Sequence, residues 1–562
     1  MTEAKSKKTT VNEYIANHKG IVLIFLLITM TLTFVAPLKS FILQWLIDAS
    51  SKENALKYLL LGSVITILSF ILELLSRNLA TKIKCESINS IRQKIVERVL
   101  RKKMDKYLMG ENADIVSILT NDMRIIYDDY YTALYNIILY AGMMFFALCM
   151  YIYINPSLLI FVALASLAPL VLPRFLDKRL KITREQYSTE IGKYTSYIGD
   201  IFKGFEIIKQ FNVISNFNNI HIKRAANVSD QEDTLQKNIN LTITMSSFLG
   251  DILFFIILLL GMFLYFDGKI TIGYMVAAAN LSNYVMSPCK IISQQYASLK
   301  STKGIRKKVD DIIKEAMECK EKEEIEEIEE IEEIDEIEEI DEISQVVWKN
   351  VGFSYHNTDE PVLKNVNMTW EKEDKIALLG KSGSGKTTLI KIFCKYYNNY
   401  QGKVLIDSKD LKKINIDSFY KKIGIVSQNT YLFNDTIRNN ICLYDSYSED
   451  EIEYALIKAG IIDYINTLPD GLNTHIIENG KNLSGGQAQR LALARAIIRK
   501  KEILIIDEGT TGLDMETAQD IMDNILGFKG MLIMITHDIH GKYMKHFNKK
   551  YYINNGEMNL IT

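Results

Sequence analysis

The sequence predicts two joined folds: an α-helical polytopic membrane domain of six spans over residues 1–305, and an α/β domain over residues 345–562. Three observations carry the prediction. Six long apolar runs fill the first 300 residues. A glycine-rich turn between an apolar strand and a helix, "KIALLGKSGSGKTTLIKIF", lies near the start of the second part. Between them residues 321–343 read "EKEEIEEIEEIEEIDEIEEIDEI", a composition shift that marks an acidic linker over residues 306–344.

The apolar runs are "GIVLIFLLITMTLTFVAPL" from Gly20, "YLLLGSVITILSFILELL" from Tyr58, "ALYNIILYAGMMFFALCMYIYI" from Ala133, "SLLIFVALASLAPLVLP" from Ser157, "SSFLGDILFFIILLLGMFLYF" from Ser246 and "TIGYMVAAANLSNYVMSPC" from Thr271. Each approaches the ~20 residues that cross a bilayer core. A buried helix of a soluble protein explains one such run, not six in succession. Lys and Arg crowd the segment between spans two and three and the segment from Arg174 to Lys237, and the N-terminal tail carries Lys5, Lys7, Lys8 and Lys19. By the positive-inside rule these segments and both chain ends are expected in the cytoplasm, with the lipid bilayer of the cell membrane as the first partner. Both long cationic segments read as helical, so the spans are expected to continue as helices beyond the membrane. No cleavable leader is expected, because the first run is long and lacks a small-residue cleavage pattern. Six scattered cysteines without paired spacing suggest neither a disulfide framework nor a zinc site.

Ionisable groups inside spans are costly and tend to face a pore or one another. Glu73, Asp251 and Lys290 are therefore candidates to line a membrane cavity, with Lys290 paired to one of the acids; the bland alternative is that they sit in the inner headgroup zone.

The linker is read from its period. The formal charge is -2 overall and -14 over residues 321–343, which leaves +12 on the remainder. On an α-helix a period of three turns each Ile by ~300°, so the isoleucines walk round the cylinder instead of forming a stripe. On a strand the period of two is violated as well, and like charges repel and stay solvated. A disordered or transiently helical tether is expected, a length-tolerant spacer more than an electrostatic regulator, because exposed charge pairs contribute only ~0–1 kcal/mol each.

The second part carries chemistry in order along the chain. Gly380, Lys381, Ser382, Gly383, Ser384, Gly385, Lys386, Thr387 and Thr388 form a phosphate-binding loop in its strand-loop-helix context. Backbone N–H groups wrap the phosphates, Lys386 neutralises them and Thr387 ligates Mg²⁺, so the loop implies ATP or a similar triphosphate with Mg²⁺. "EILIIDE" ends a second apolar strand in Asp507, for the Mg²⁺ shell, and Glu508, for polarising the attacking water. Alone it could be an ordinary strand stopping at an acidic turn; together with the loop the two support each other. In "NLSGGQAQRLALARAI", Ser484, Gly485, Gly486 and Gln487 open an amphipathic helix and form a second anion-binding helix end.

This last pattern resembles the signature of ATP-binding cassette (ABC) ATPases, in which the signature of one subunit caps the γ-phosphate held by the loop of another. Further motifs resemble the family in order: Tyr355 in "VGFSY" as the adenine-stacking aromatic, Gln428 in "IVSQNTYLFNDTIRNNI" as the Q-loop residue touching Mg²⁺ and the catalytic site, Asp514 in the D-loop, and His537 in "IMITHD" as the switch histidine. With six spans in the same chain, the sequence is similar to half-size ABC exporters of the multidrug, peptide and lipid type. The resemblance implies a dimer with two composite ATP sites, a homodimer or a pair with a second half-transporter. It also implies a small-molecule, lipid or peptide substrate and coupling helices near "GENADIVSILTNDM" and "REQYSTEIGKYTSYIGDIFKGFEIIKQFN". Nucleic acid is not an expected partner, since the soluble ABC proteins of translation and repair lack spans. An importer on the exporter-like fold, or an ATP-gated channel or sensor, remains an alternative. The chain departs from the family pattern at "DEGTTGLD", where Gly509 replaces Pro and Thr511-Gly512 replace Ser-Ala, and at Ile477, where Gly is usual.

Overall fold

The structure, a computed structural model, describes residues 10–102, 104, 115–166, 168–313, 338–355, 360–428, 430–477, 480–507, 522–536 and 543–561. It divides into two compact units, one of residues 1–101 and 112–318 and the other of residues 102–111 and 319–562.

The first unit is helical: α1 (Lys19–Ile47), α2 (Lys52–Leu100), α3 (Ile115–Ile154), α4 (Pro156–Ala165), α5 (Ala168–Lys203), α6 (Phe205–Gln210), α7 (Ile214–Phe266) and α8 (Ile272–Ser301). Among the described residues, α1, α2, α3 and α7 are long and apolar enough to cross a bilayer. The fourth expected run is split between α4 and α5. Pro169 cannot donate to the preceding turn but fits the first turn of a helix, so a new helix starts there. The sixth expected run lies within α8, where polar residues find partners on neighbouring helices: Ser40 of α1 donates to the Asn280 side chain at 3.1 Å. Small residues let α8 and α3 approach closely, and Tyr151 of α3 donates to the carbonyl of the fully buried Ala278. The described residues of the cationic segments are largely helical, as expected. At ~1.5 Å per residue the 49 residues of α2 and 53 of α7 reach well over twice a ~30 Å hydrocarbon core.

The second unit has two sheets. β1 (Gln345–Phe353), β2 (Leu363–Glu371), β4 (Gln401–Ile406) and β5 (Lys409–Asp410) form an antiparallel sheet in the order β2-β1-β4-β5. β3 (Lys375–Leu379), β6 (Ile423–Val426), β7 (Ile503–Asp507), β8 (Met531–Thr536), β9 (Lys549–Asn554) and β10 (Glu557–Ile561) form the other in the order β10-β9-β3-β8-β7-β6, parallel except at β10. The central strands β3, β7 and β8 read as nearly continuous apolar runs because helices cover both of their faces. Trp348 and Trp370 are fully buried and pack on Phe393, the last residue of the helix α9 (Lys386–Phe393) that follows the glycine-rich turn.

The expected linker is ordered at both ends. Residues 303–313 are helical and bury Val309 and Ile313 beside Ile91 and Ile95 of α2 and Met123 of α3. At the other end Ile340 and Ile343 enter the core of the α/β unit with Trp348 and Ile414. Helix and strand periods do not apply to this end, because residues 339–344 are neither helix nor strand and the two isoleucines three apart both reach the core. Residues 314–337, the body of the acidic repeat, lie outside the described residues.

Candidate nucleotide site

Four of the sequence motifs follow four neighbouring parallel strands. In the order β3-β8-β7-β6, the glycine-rich loop leaves β3, Thr536 ends β8, Asp507 ends β7, and Gln428 comes two residues after β6. Leu379 is in register with Thr536, and Asp507 with Ile535. Parallel strands whose carboxyl ends share one edge place the following loops together, where ligands bind in open α/β sheets.

The loop is shaped by backbone. Gly380 has φ +149°, and a Cβ there would lie 2.5 Å from the Ile553 carbonyl oxygen. Gly385, the N-cap of α9, has φ +108°, with Leu363 Cδ2 2.9 Å from where its Cβ would be. No other residue fits either position without moving the chain. Lys386 is 5% exposed and curls into the loop, its ammonium donating to the carbonyls of Gly380 at 2.7 Å and Lys381 at 2.8 Å. Ser384 Oγ is buried without a hydrogen-bond partner among the described residues. A caged ammonium, an orphaned hydroxyl and a helix N-terminus fit a polyphosphate and its cation. Thr387 is exposed at the start of α9, and Thr388 shares a 2.8 Å hydrogen bond with the Tyr355 hydroxyl. The Tyr355 ring is fixed edge-on against Phe353 and Tyr397, with centroids 5.1 and 5.6 Å away.

Ser484 caps the helix α14 (Gly485–Ile497), counted after α10 (Ile416–Lys422), α11 (Ile437–Cys442), α12 (Glu449–Lys458) and α13 (Ile462–Thr467). The cap is reciprocal. The Gln487 N–H donates to Ser484 Oγ at 3.2 Å, and the Ser484 N–H donates to Gln487 Oε1 at 2.8 Å. Gln487, expected among the ATP contacts, thus uses its side-chain oxygen on the cap. Ser484 and Gly485 are exposed, and among the described residues nothing lies within 4 Å of a Cβ added at Gly485, so the helix end is open on that side.

The other end of α14 carries residues that the sequence reading passed over. Arg495 donates to the carbonyls of Asn440 at 2.7 Å and Tyr431 at 3.0 Å, and Arg499 donates to those of Ile441 at 3.0 Å and Cys442 at 2.8 Å. Two cations meet the C-terminal carbonyls of α11, where the helix dipole favours them. Burial, with the neighbouring Arg499 charge, pushes Arg495 down to about 10, still fully charged at neutral pH. Asn440, itself buried, accepts the Phe433 N–H at 2.8 Å and donates to the Phe433 carbonyl at 2.9 Å, closing the segment after Gln428. The signal was one Arg in the last turn of a helix and a second four residues on, just past its end, which reads equally well as a solvated face. Glu508, Asp514 and His537 lie outside the described residues, directly or a few positions after β7 and β8.

In the helical unit the three cavity candidates are apart in their contacts. Glu73 accepts from Arg77 of its own helix at 2.8 and 2.9 Å, Lys290 donates to Ser247 at 3.5 Å, and Asp251 is exposed on α7. Among the described residues neither Glu73 nor Asp251 pairs with Lys290, and Glu73 bonds a cation one turn away on its own helix.

Comparison with known proteins agrees with both units. Residues 20–289 match the ABC transporter transmembrane region, and residues 363–511 match the ABC transporter family. The ATP-dependent lipid A-core flippase of Pasteurella multocida is 27% identical over 501 residues, 85% of this chain and 81% of that one. The flippase of the same name from Escherichia coli K12 is 43% identical over 178 residues, which is 31% of each chain. In structure, a bacterial Atm1-family ABC exporter with ATP bound superposes with TM-score 0.74 and 21% identity, covering 98% of this chain and 94% of that one. The glycine-rich loop with its inward lysine, the Asp507 strand and the serine-capped signature helix thus belong to a member of the ABC transporter family, an ATP-driven membrane transporter whose exporter-type helical region is fused to its ATPase.

Proposed function

We propose that two copies of this chain form an exporter in the cell membrane, with both termini cytoplasmic, that moves an amphipathic lipid-type molecule at the expense of ATP. The observation that carries the substrate class is the 27% identity with a lipid A-core flippase, which extends over both units. The dimer is supported by the exposed N-terminus of α14: an anion-binding helix end with its cap complete and its outer face open suits a phosphate held by another copy. Only 11% of the apolar windows of α2 and α7 is buried within the chain, against 39% for α1. Those faces need lipid or a second copy to cover them.

In this reading Lys386 exchanges the carbonyls of Gly380 and Lys381 for phosphate oxygens, and the amides of the loop and of α9 complete the cradle. Thr387, Gln428 and Asp507 hold Mg²⁺, which supplies neutralising charge at the phosphates. Tyr355 offers its ring to the base. Glu508 orients and polarises the attacking water, His537 reports on the γ-phosphate, and Asp514 lies at the junction between copies. Ser484, Gly485 and Gly486 close on the phosphates from the other copy. Glu73, Asp251 and Lys290 line the substrate path as separate polar points instead of one ion pair.

A substrate-stimulated ATPase screen on the purified protein tests the reading. Acylated glycolipids are expected to stimulate turnover more than amphipathic peptides or small cationic drugs. Stimulation by peptides alone would assign the cargo to another class.

A further inference from the structure

The acidic repeat does not only connect. Its last six residues, Glu338 to Ile343, lie in a groove of the α/β unit that meets both isoleucines, two of the four carboxylates and the backbone between them. Ile340 and Ile343 are 6% and 2% exposed. The Glu338 carboxylate pairs with Lys409 at 3.3 Å, and the Glu342 carboxylate pairs with Lys372. The backbone is read as well: the Glu338 N–H donates to the Lys413 carbonyl at 3.3 Å, the Asn415 N–H donates to the Glu338 carbonyl at 3.0 Å, and Lys409 and Lys422 donate to the carbonyls of Glu339 and Asp341. The Ile343 N–H donates to Glu502 at 2.8 Å.

These contacts recognise a pattern, not a unique sequence. Asp341 is met through its carbonyl, so the groove takes Asp or Glu there. The hexapeptide it holds, Glu-Glu-Ile-Asp-Glu-Ile, occurs a second time, letter for letter, at residues 332–337 immediately upstream. The two copies have the same two isoleucines and the same four acids at the same spacing.

We propose that this groove is a binding site for the acid-acid-isoleucine hexapeptide and that the copy at residues 332–337 is its second ligand. The stretch between the membrane domain and the ATPase can then be held at either of two lengths. Ser344 and Gln345, whose N–H groups are bound by Asp407, fix where the chain enters β1 in both registers. Docking the upstream copy loops out six residues, up to about 20 Å of extended chain. The groove works through lysine–carboxylate pairs at the surface, so raised salt weakens both registers.

Amide hydrogen exchange at Asn415, whose N–H is covered by the docked segment, tests the proposal in the full-length protein. Three variants are compared: Ile340→Asp with Ile343→Asp, Ile334→Asp with Ile337→Asp, and all four together. Each pair alone is expected to leave Asn415 exchange within about 3-fold of the parent, because the intact copy takes the groove, whereas the fourfold variant exchanges at least about 10-fold faster. Full exposure of Asn415 by the 340/343 pair alone would overturn the proposal, and so would protection that survives in the fourfold variant. If Asp at 340 and 343 also exposes the amides of β1, the milder Ile340→Thr, Ile343→Thr pair is combined with Ile334→Asp and Ile337→Asp, and the synthetic dodecapeptide Glu-Glu-Ile-Asp-Glu-Ile, repeated twice, is titrated in. Restored Asn415 protection supports the groove as a hexapeptide site; no restoration at saturating peptide overturns it.

Discussion

Arg495, in the last turn of the signature helix, donates to the carbonyl of Asn440, the residue that also closes the segment following Gln428. The two motifs are therefore joined through one largely buried guanidinium.

Removing that guanidinium tests the joint. Arg495→Ala leaves the carbonyls of Asn440 and Tyr431 without their donor, and the loss of charged hydrogen bonds at a largely buried position is expected to cost about 2–3 kcal/mol. Arg495→Lys keeps the charge but cannot span two carbonyls with a planar fork, so it falls between. Thermal unfolding of the full-length protein in detergent, read beside basal ATPase rate, checks both. Unchanged stability in Arg495→Ala would show that the joint is not structural.

The phosphate loop makes a sharper demand. Gly380→Ala places a methyl group 2.5 Å from the Ile553 carbonyl, a backbone atom that cannot swing aside. ATP binding is expected to fall by at least about 100-fold, because the anion cradle depends on that loop geometry. Lys386→Ala is expected to lose phosphate binding while leaving the loop in place. Nucleotide binding by fluorescence separates the two from a general loss of fold.

At an exposed end of the helical unit, Asp48 follows α1 and ties it to the start of α8. Its carboxylate accepts from the Gly273 N–H at 3.0 Å, from the Thr271 hydroxyl and from Gln44 at 2.9 Å. The site is exposed, so Asp48→Ala is expected to cost only about 1 kcal/mol. Gly273→Ala should cost more, because its Cβ would lie 2.4 Å from the Asp48 carboxylate and 2.6 Å from the Gln44 carbonyl. Equal melting temperatures for Gly273→Ala and the parent would contradict this packing.

The comparison of sequence with structure divides along physical lines. Glycine-rich loop, strand-ending Asp507 and capped Ser484 were legible because each requires particular residue types at fixed spacing next to an apolar element. The span order was legible because a bilayer imposes a length. Arg495 and Arg499 were not, since an arginine pair one turn apart is also what an exposed helix face looks like; only the fold brings the α11 carbonyls beneath them. The docking of Ile340 and Ile343 was hidden for another reason. A period of three fits neither helix nor strand, and the docked segment is neither. Of the two acids considered for Lys290, Glu73 is met at i+4 by Arg77, a nearer cation that the span reading left out.

Translocation in proteoliposomes with the ATPase facing outward tests the account most directly. A fluorescent acylated glycolipid is followed from the outer to the inner leaflet with and without ATP, for the parent chain and for Glu508→Gln. The account predicts ATP-dependent movement by the parent, and in Glu508→Gln retained ATP binding with turnover and movement both lowered by at least about 100-fold. Equal movement by both proteins, or full ATPase activity in Glu508→Gln, would contradict it.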